Sequence, residues 1–531
     1  MVNVNVNVNV NANVMPGPPY LVVTIYTSKF SLKRTKFLVL INILNCNSTS
    51  SKSSTTSQFV LLSIDQLDQP YSFINPPRPP NSNLSFSMMS TSIRPEKPFH
   101  VAICGGGIGG LCMAIGLLKQ NIPFTVYEAA PAFAEIGAGI SFGPNSVRAM
   151  ELIDPAVKHG FDNCATSNGS PEEREIWFNF RVGMAEEGWK DFKNDPPVKE
   201  GEFLTEVVAK DCGQASLHRA HFLDELVKLV PNENARFGKR VEKVEEKGSR
   251  LQMTFHDGTT AEADVVIGCD GLKSRTKHMV LGDDHEATAP VFSGKYAYRG
   301  LIPMEKAVAA VGESLARNSQ MYVGHKGHLL TFPIEKGAVM NVVAFRTKRD
   351  GKWDNEKWVI PVRKSDMLED FEGWGKDVKH ILSLLEKPDI WALFDSIPAP
   401  TFYKGRVVLL GDAAHASTPH QGAGAGQAIE DAFILSNLLG DCTELEDIDR
   451  ALKAYDEVRR PRSQKVVTTS REAAALYEFE NEEILEGENG VDIDDLKQRL
   501  RERCQWIWDE DLGAQLETAR GIARGGGNAH P

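Results

Sequence analysis

Short apolar runs alternate with turn residues where the first regular pattern of the chain begins. The run 99–104 is apolar and stops at Gly105, which is typical of a buried parallel strand. Residues 108–120 place apolar side chains at helical spacing, and 124–128 is a second strand-like run. The pattern predicts a strand, a glycine-rich turn, a helix and a strand, the unit from which parallel sheets are built.

Longer patterned segments follow this unit. A helical face spans 219–230, and the alternation over 239–267 predicts a three-stranded antiparallel meander. Strand-like runs within 290–346 predict a separate antiparallel sheet. From 445 onward the chain is helical and charged, and we expect its glycine-rich end, 524–531, to fray.

The N-terminal segment has a different composition from the rest of the chain. It opens with Val-Asn alternation and continues with Ser, Thr, Asn and Pro clusters. We interpret 1–97 as a low-complexity extension, either disordered or produced by a start assigned too early, since Met88 and Met89 precede the first predicted strand. Its longest apolar run, 37–44, is too short to cross a bilayer. We therefore expect a cytoplasmic protein without a membrane span, with organellar targeting by the extension as the alternative.

Composition narrows the function classes. The chain has 531 residues, 42% of them hydrophobic and 24% charged, which is typical of an ordinary globular protein of about two or three domains. Its net charge of −12 includes no basic block, so the sequence gives no support to nucleic-acid binding. The eight cysteines follow no metal-ligand spacing, so we expect reduced thiols and no metal site.

The glycine-rich turn carries the first candidate chemistry. Residues 105–110 read Gly-Gly-Gly-Ile-Gly-Gly and fit the pattern GxGxxG between a strand and a helix. Gly105 allows the tight turn, Gly107 lets backbone N–H groups approach a pyrophosphate, and Gly110 lets helix and strand pack closely. Glu128 ends the second strand, where a carboxylate accepts hydrogen bonds from a ribose. These residues predict a dinucleotide site, for either NAD or FAD.

Two further segments end strands at an aspartate. A strand over 263–268 runs into Asp270-Gly271, and a strand over 406–410 runs into Gly411-Asp412. With the glycine turn, and in this order, they resemble the single-component FAD-dependent aromatic hydroxylases. The stretches 298–303 (YRGLIP) and 136–140 and the pair His218-Arg219 are similar to the salicylate hydroxylase branch and its fungal relatives. The likeness covers about 98–470.

The resemblance implies a fold and an activity. The fold class is α/β, with a Rossmann-type FAD-binding domain that carries the meander, a substrate domain with a mainly antiparallel sheet, and a C-terminal helical region. The implied reaction takes electrons from NADH or NADPH and uses O₂, through a hydroperoxide at the flavin C4a, to hydroxylate a phenolic or aromatic acid, with loss of the carboxylate where the attacked carbon bears one. The predicted boundaries are 98–285 with 400–445 for the FAD-binding domain, 286–399 for the substrate domain and 446–531 for the helical region.

Three alternatives stay open at this point. The same fold could hydroxylate, dearomatise or epoxidise a larger secondary metabolite. The chain could bind flavin without hydroxylase turnover, or it could be an NAD-dependent dehydrogenase that uses only the glycine turn. The sequence also leaves open the substrate, the choice between NADH and NADPH, and the oligomeric state.

The resemblance implies several further FAD-binding positions. Asp412 would hold the middle of FAD, because a carboxylate at the end of a buried strand is costly unless paired. Gly424 and Ala425 lie in a small-residue stretch that opens a helix, where free N–H groups can meet the flavin's N1 and C2 carbonyl. Small side chains there let the flavin approach.

Three other positions have a possible structural role as well as a possible role in FAD binding. Arg219 would contact the phosphate or ribityl region or be a surface arginine, and Gly139 would let backbone approach the cofactor or be a loop glycine. Asp270 would touch the pyrophosphate region or cap a helix. Lys277 stands where the family's segment often has arginine.

Arg299 and Tyr322 are the candidate catalytic residues on the substrate side. Both lie on strands of the predicted second sheet, and Arg299 could bind a carboxylate or phenolate through two hydrogen bonds. Its alternative is a salt bridge at the domain seam, and the alternative for Tyr322 is a packed aromatic ring. Strand alternation predicts that Tyr298 faces away from Arg299. We interpret His415 as structural, and reserve candidates are His325 and His328.

Overall fold

The computed structural model describes residues 96–133, 139–184, 199–486 and 490–525, and the backbone of 37–45, 54–62 and 190–191. The chain divides into two units, Met1–Ser90 and Thr91–Pro531. Other predictions for 1–95 lie outside the described residues, as does the predicted fraying of 526–531.

The first unit contains a β-hairpin. Strand β1 (Phe37–Asn45) pairs antiparallel with β2 (Ser54–Leu62), with Phe37 opposite Leu62. The interpretation of 1–97 as an extension that is either disordered or produced by a start assigned too early stays a prediction. Both strands contain β-branched and aromatic residues, which favour extended backbone even inside a low-complexity segment.

The strands of the second unit are β3 (Val101–Cys104), β4 (Phe124–Glu128), β5 (Gly139–Phe142), β6 (Ile176–Val182), β7 (Lys190–Asp191), β8 (Phe203–Val208), β9 (Ala215–His218), β10 (Ala235–Phe237), β11 (Val241–Lys247), β12 (Arg250–Phe255), β13 (Thr260–Ala263), β14 (Val265–Gly268), β15 (Val291–Pro303), β16 (Gln320–Gly324), β17 (Gly327–Ile334), β18 (Val339–Thr347), β19 (Val359–Pro361), β20 (Asp389–Asp395), β21 (Tyr403–Lys404), β22 (Val407–Leu409), β23 (Leu485–Glu486) and β24 (Gly490–Val491).

Its α-helices are α1 (Ile108–Lys119), α2 (Pro144–Ile153), α3 (Pro155–Cys164), α4 (Arg219–Val227), α5 (Arg275–Leu281), α6 (Met304–Val311), α7 (Glu313–Arg317), α8 (Lys364–Asp370), α9 (Lys376–Ser383), α10 (Asp412–His415), α11 (Gly424–Asp441), α12 (Ile448–Tyr477), α13 (Ile493–Glu502), α14 (Gln505–Trp508) and α15 (Leu512–Ala523). Within the described ranges, no helix combines the length and the apolar character needed to cross a bilayer.

The parallel sheet confirms the predicted Rossmann-type unit. Its strand order is β10-β4-β3-β14-β22-β21, and its central strands are parallel. Gly268 is the register partner of both Cys104 and Leu409, so three strands end side by side. The segments that follow these strands are the glycine turn, Asp270-Gly271 and Gly411-Asp412. The sheet therefore gathers the three sequence motifs at one edge.

The predicted meander is confirmed with one change at its end. Strands β11, β12 and β13 form an antiparallel sheet. The prediction extended the meander to residue 267, whereas β14 begins at Val265 and joins the parallel sheet. All of β14 is buried, which is typical of a strand covered on both faces.

The large second sheet has the order β19-β20-β15-β18-β17-β16-β6-β8 and is mainly antiparallel. Strands β6 and β8 come from 176–208, which the predicted boundaries grouped with the FAD-binding segment. Strand β6 pairs with β16 instead, in the sheet's one parallel pairing among the described strands. This placement depends on hydrogen bonds between segments far apart in sequence, which local periodicity does not encode.

The two faces of this sheet pack in different clusters. Ala297, Met321 and Phe345 belong to a cluster that includes residues of the C-terminal helices. Tyr298 and Tyr322 belong to the opposite cluster, which α8 and α9 cover. Because neighbouring residues in a strand point to opposite faces, β15, β16, β17 and β18 each contribute to both clusters.

Buried ion pairs join α11 to α12. Arg459 lies 2.7 Å from Glu430 and 2.8 Å from Asp431, and all three side chains are fully buried. Asp431 also accepts hydrogen bonds from the Gly411 N–H at 3.1 Å and from His415 at 2.6 Å. Since each charge has a partner, these contacts fix α11 against the turn that precedes Asp412.

Candidate functional site

The glycine turn is packed as its spacing predicts. Gly105 has a φ of +114°, and a Cβ there would lie 2.3 Å from the Cys269 carbonyl oxygen. A Cβ on Gly110 would lie 2.1 Å from the Gly105 oxygen, so strand and helix meet too closely for a side chain. Gly107 faces open space. The turn therefore leaves its backbone accessible on one side and is closed on the other.

Glu128 lies at the same end of the parallel sheet. Its carboxylate accepts hydrogen bonds from the N–H groups of Gly106 and Ala130, both at 2.7 Å. It lines a cavity of about 390 Å³ together with Gly107 and Asp270. We name this space the ribose cavity, since its carboxylate is placed for hydrogen bonds with a nucleotide's ribose.

Asp270 lies in the ribose cavity wall and caps α5. Its two oxygens accept hydrogen bonds from the Ser274 and Thr276 hydroxyls and from the N–H groups of Arg275 and Thr276, at 2.5 to 3.0 Å. The helix-capping alternative is therefore present in the structure. Nearby, Lys277 is 1% exposed and donates to Ser396 at 3.0 Å.

A second cavity, of about 350 Å³, adjoins the first, and we name it the ribityl cavity. Asp412, Arg219, Gly424 and Ala425 all line it. Asp412 was expected to end a buried strand, but β22 ends at Leu409, and Asp412 is exposed at the start of α10. Gly411, with a φ of +63°, turns the chain between them. The carboxylate is therefore available to a ligand.

The third cavity, of about 420 Å³, lies against the second sheet, and we name it the aromatic cavity. Arg299, Gly139 and Arg219 line it. Gly139 contacts the sheet closely, because a Cβ there would lie 2.7 Å from the Asn341 side chain. Most of the wall is apolar and was not predicted from the sequence: Trp177, Phe178, Met321, Leu330, Phe332, Val343, Phe345, Trp391 and Leu393.

Signals for these wall residues exist but are ambiguous. In β6 and β20 the aromatic residues stand in short apolar runs, which predict strands but not which face meets a cavity. His420, also in the wall, follows Pro419 in a short 3₁₀ helix, Pro419–Gln421. The sequence offers no periodicity by which to place it.

Arg299 faces the aromatic cavity as predicted, but Tyr322 does not. Met321 lines the cavity, and Tyr322 points to the opposite face, where it is 1% exposed. The prediction that both side chains face one site is wrong for Tyr322, because strand alternation turns it away. Tyr298 faces away from Arg299, as predicted.

The other three candidate histidines are not among the described residues that line the aromatic cavity. His415 is buried and hydrogen-bonded to Asp431, in agreement with its structural interpretation. His328 stacks on Phe345, with ring centroids 4.2 Å apart. His325 packs edge-on against Phe479.

The three cavities form one elongated path. The ribose and ribityl cavities share Gly107, Cys269 and Gly271, and the ribityl and aromatic cavities share Arg219 and Gly422. A nucleotide at one end, a polar linker in the middle and a planar ring at the other end fit this order. A Cβ on the glycines of these walls would fill or block the path, and the Asp412 carboxylate is exposed to it. The path is therefore suited to FAD.

Comparisons with known proteins agree with this geometry. Residues 99–470 match the FAD binding domain family. The chain is 46% identical over 428 residues to 6-methylsalicylate 1-monooxygenase of Aspergillus terreus, covering 79% of this chain and 91% of that protein. It is 39% identical over 445 residues to a salicylate hydroxylase of Pseudomonas putida, covering 81% and 97%.

A solved structure supports the same assignment. A salicylate hydroxylase substrate complex superimposes with a TM-score of 0.70 at 38% identity, covering 80% of this chain and 98% of that chain. The family match spans the three motifs and the second sheet together. The chain therefore belongs to the FAD-binding-domain family, in its salicylate hydroxylase-like branch, and is an FAD-dependent monooxygenase.

Proposed function

We propose that this enzyme hydroxylates a small phenolic acid whose carboxylate binds Arg299. The observation that carries the proposal is a guanidinium in the cavity wall whose buried Nε has no hydrogen-bond partner among the described residues. Arg299 donates to the Gly139 carbonyl at 3.4 Å and lies 5.1 Å from the Trp391 ring centroid. Among the described residues, no Asp or Glu forms a salt bridge with it.

Burial and the nearby Arg219 lower the pKa of Arg299 to about 10. At neutral pH the guanidinium is still charged, so keeping this charge in the cavity costs desolvation free energy. A ligand carboxylate would offset that cost and accept two parallel hydrogen bonds. The cavity thus favours an acid over a neutral phenol.

The shape and lining of the aromatic cavity support one aromatic ring as the ligand body. Its volume of about 420 Å³ lies toward the small end of ligand pockets. Trp177, Phe332 and Trp391 offer flat apolar surfaces. A salicylate-type acid meets these requirements, and the names of the two relatives support the same class.

FAD, when bound, supplies the activation of O₂ with electrons taken from NADH or NADPH. The chain's own residues hold and shield it. Glu128 and the backbone at Gly107 would bind the nucleotide end, Asp412 the ribityl part, and the N–H groups at Gly424 and Ala425 the flavin end. The apolar wall of the aromatic cavity excludes water from the reacting atoms.

Arg299 orients the acid so that the ring carbon next to the phenolic oxygen faces the flavin end of the path. Where that carbon carries the carboxylate, its oxygenation releases carbon dioxide and leaves a catechol. Where it carries hydrogen, the acid is retained. We expect the first outcome for a salicylate-type substrate.

A substrate panel with the purified, flavin-loaded enzyme tests the proposal. NAD(P)H oxidation and O₂ uptake are followed with salicylate, 6-methylsalicylate, 3-hydroxybenzoate, phenol and benzoate, and product masses show whether oxygen is added with or without loss of carbon dioxide. We expect stimulation by the salicylates together with a decarboxylated product. Stimulation by bicyclic phenols alone would favour a larger metabolite, and no stimulation across an extended panel would favour flavin binding without turnover.

A further inference from the structure

Two tryptophan rings pack against each other at the wall of the aromatic cavity. Trp177 on β6 lines the cavity, and Trp508 at the end of α14 contacts it from behind. Their ring centroids lie 5.4 Å apart with the ring planes at 64°, which is an edge-to-face contact. The two residues are 6% and 5% exposed. In a close-packed interior, Trp177 therefore cannot withdraw from the cavity while Trp508 stays in place.

Trp177 also contacts two residues of the cavity wall itself. A Cβ on Gly422 would lie 3.1 Å from Cζ2 of Trp177, and Gly422 lines both the ribityl and the aromatic cavities. The ring of Phe178 meets Trp177 edge-on, with centroids 5.9 Å apart. Among the described residues, Gly422 and Phe178 line the aromatic cavity and Trp508 does not. Trp508 therefore acts on the cavity only through the side chain that it supports.

Two arginines and a glycine hold Trp508 in position. Arg148 on α2 donates a hydrogen bond to the Trp508 carbonyl oxygen, and Arg462 on α12 donates to the Ile507 carbonyl oxygen at 2.8 Å. A Cβ on Gly143 would lie 2.5 Å from Trp508 Nε1, so the indole lies directly against the Gly143 backbone. These contacts fix α14 to two longer helices, and the indole has a single well-packed position.

Arg299 and Trp177 stand on opposite sides of the cavity floor. Arg299, Val343, Leu330 and Met321 are register partners in turn across β15, β18, β17 and β16, and all four line the cavity. Strand β6 comes next in the sheet. Four strand spacings separate β15 from β6, which is about 19 Å between their backbones. A phenolic acid whose carboxylate binds Arg299 therefore directs the far side of its ring toward Trp177.

We propose that Trp508 is a positioning residue that sets which ring substituents the aromatic cavity accepts, because it fixes Trp177. The proposal rests on the phenolic-acid function above. With the carboxylate on Arg299, Trp177 faces C4 of a salicylate, the ring carbon opposite to the carboxylate. An unsubstituted ring fits, and a longer chain at C4 is excluded. Trp508 lies beyond residues 99–470 that match the family, so the C-terminal helical region supplies part of the substrate specificity.

Ligand binding to the oxidised, flavin-loaded enzyme tests this role without turnover. Flavin absorbance is titrated with salicylate and with 4-propylsalicylate, and the readout is the Kd of 4-propylsalicylate divided by the Kd of salicylate. W508F leaves a smaller ring behind Trp177 and gives it room to recede. The variant should lower this ratio at least about tenfold, since a single methylene in an apolar pocket changes binding by about 10–200-fold. A merely structural role would lower flavin content or the melting temperature and leave the ratio unchanged.

W506F is the matched control. Trp506 lies on the same short helix, and its ring lies under Lys465, whose Nζ is 4.0 Å from the ring centroid. Trp506 is not among the described residues that line the aromatic cavity. The ratio of the two Kd values in W506F should match the wild type.

A double-mutant cycle tests whether Trp508 acts through Trp177. W177F already shortens the side chain that faces the substrate, so W177F/W508F should have the same Kd ratio as W177F. If W508F instead lowers the ratio by the same factor in both backgrounds, the two residues act independently and the proposal is overturned.

The outcomes separate the two proposals. If no phenolic acid perturbs the flavin spectrum of the wild type, the proposed function and the role of Trp508 both fail. If salicylate binds to the wild type, but W508F has the wild-type ratio, only the role of Trp508 fails. Should W508F not bind flavin, R148Q takes its place, because it removes the hydrogen bond to the Trp508 carbonyl oxygen. R148Q should lower the ratio about threefold, and a wild-type ratio would overturn the proposal.

Discussion

Replacing Arg299 with glutamine tests the charge on which the proposed function depends. Burial, together with Arg219, lowers the pKa of Arg299 from 12.5 to about 10. That shift corresponds to about 3 kcal/mol of free energy spent on holding the guanidinium charged without a ligand. A bound carboxylate offsets a cost of this size. Arg299→Gln should therefore weaken salicylate binding by about 100-fold.

The same substitution should not destabilise the ligand-free protein. Glutamine removes the buried charge, so the free energy of unfolding should stay constant or rise by up to about 3 kcal/mol. Binding is measured by titrating the flavin absorbance with salicylate and with phenol, and stability by chemical denaturation. Phenol lacks the carboxylate, so its affinity should hardly change.

Arg346→Gln is the matched control, because Arg346 lies over Phe371, which packs against the opposite face of the same sheet. It should leave the affinities for salicylate and phenol unchanged. The reasoning is refuted if Arg299→Gln binds salicylate as tightly as the wild type. It is also refuted if both ligands lose affinity equally, since the loss would then not involve the carboxylate.

Three further substitutions probe the rest of the molecule. Gly110→Ala places a Cβ 2.1 Å from the Gly105 oxygen. We expect the free energy of unfolding to fall by at least about 1–3 kcal/mol, measured by thermal melting, and the bound flavin to be largely lost, measured by absorbance. Tyr322→Phe removes a buried hydroxyl that has no hydrogen-bond partner among the described residues. Turnover should be unchanged, and the free energy of unfolding should rise by about 1 kcal/mol. A fall in kcat would show that Tyr322 acts in the site. Burial lowers the pKa of Lys277 to about 8, against 10.5 in the unfolded chain. Between these values the unfolded chain binds more protons, so the unfolding free energy of flavin-free protein should rise with pH, and Lys277→Met should abolish the rise in denaturation midpoints.

The sequence determined the features that depend on neighbouring residues. A positive φ at Gly105 and the close contact at Gly110 follow from local backbone geometry, so the glycine turn was predicted with its packing. Strand alternation likewise placed Tyr298 and Arg299 on opposite faces. These rules act over a few residues and need no knowledge of the fold.

The tertiary structure alone decided which face meets the cavity and which distant segments build its wall. Alternation shows that Met321 and Tyr322 point apart, but only the pairing of the sheet's strands shows that Met321 is the one facing the cavity. Trp177 reaches the wall because β6 pairs with β16, and His420 because its 3₁₀ helix lies against β17 and β18. Such contacts join segments far apart in the chain, and their free energy comes from long-range pairing and burial, which leave no periodic trace in the sequence.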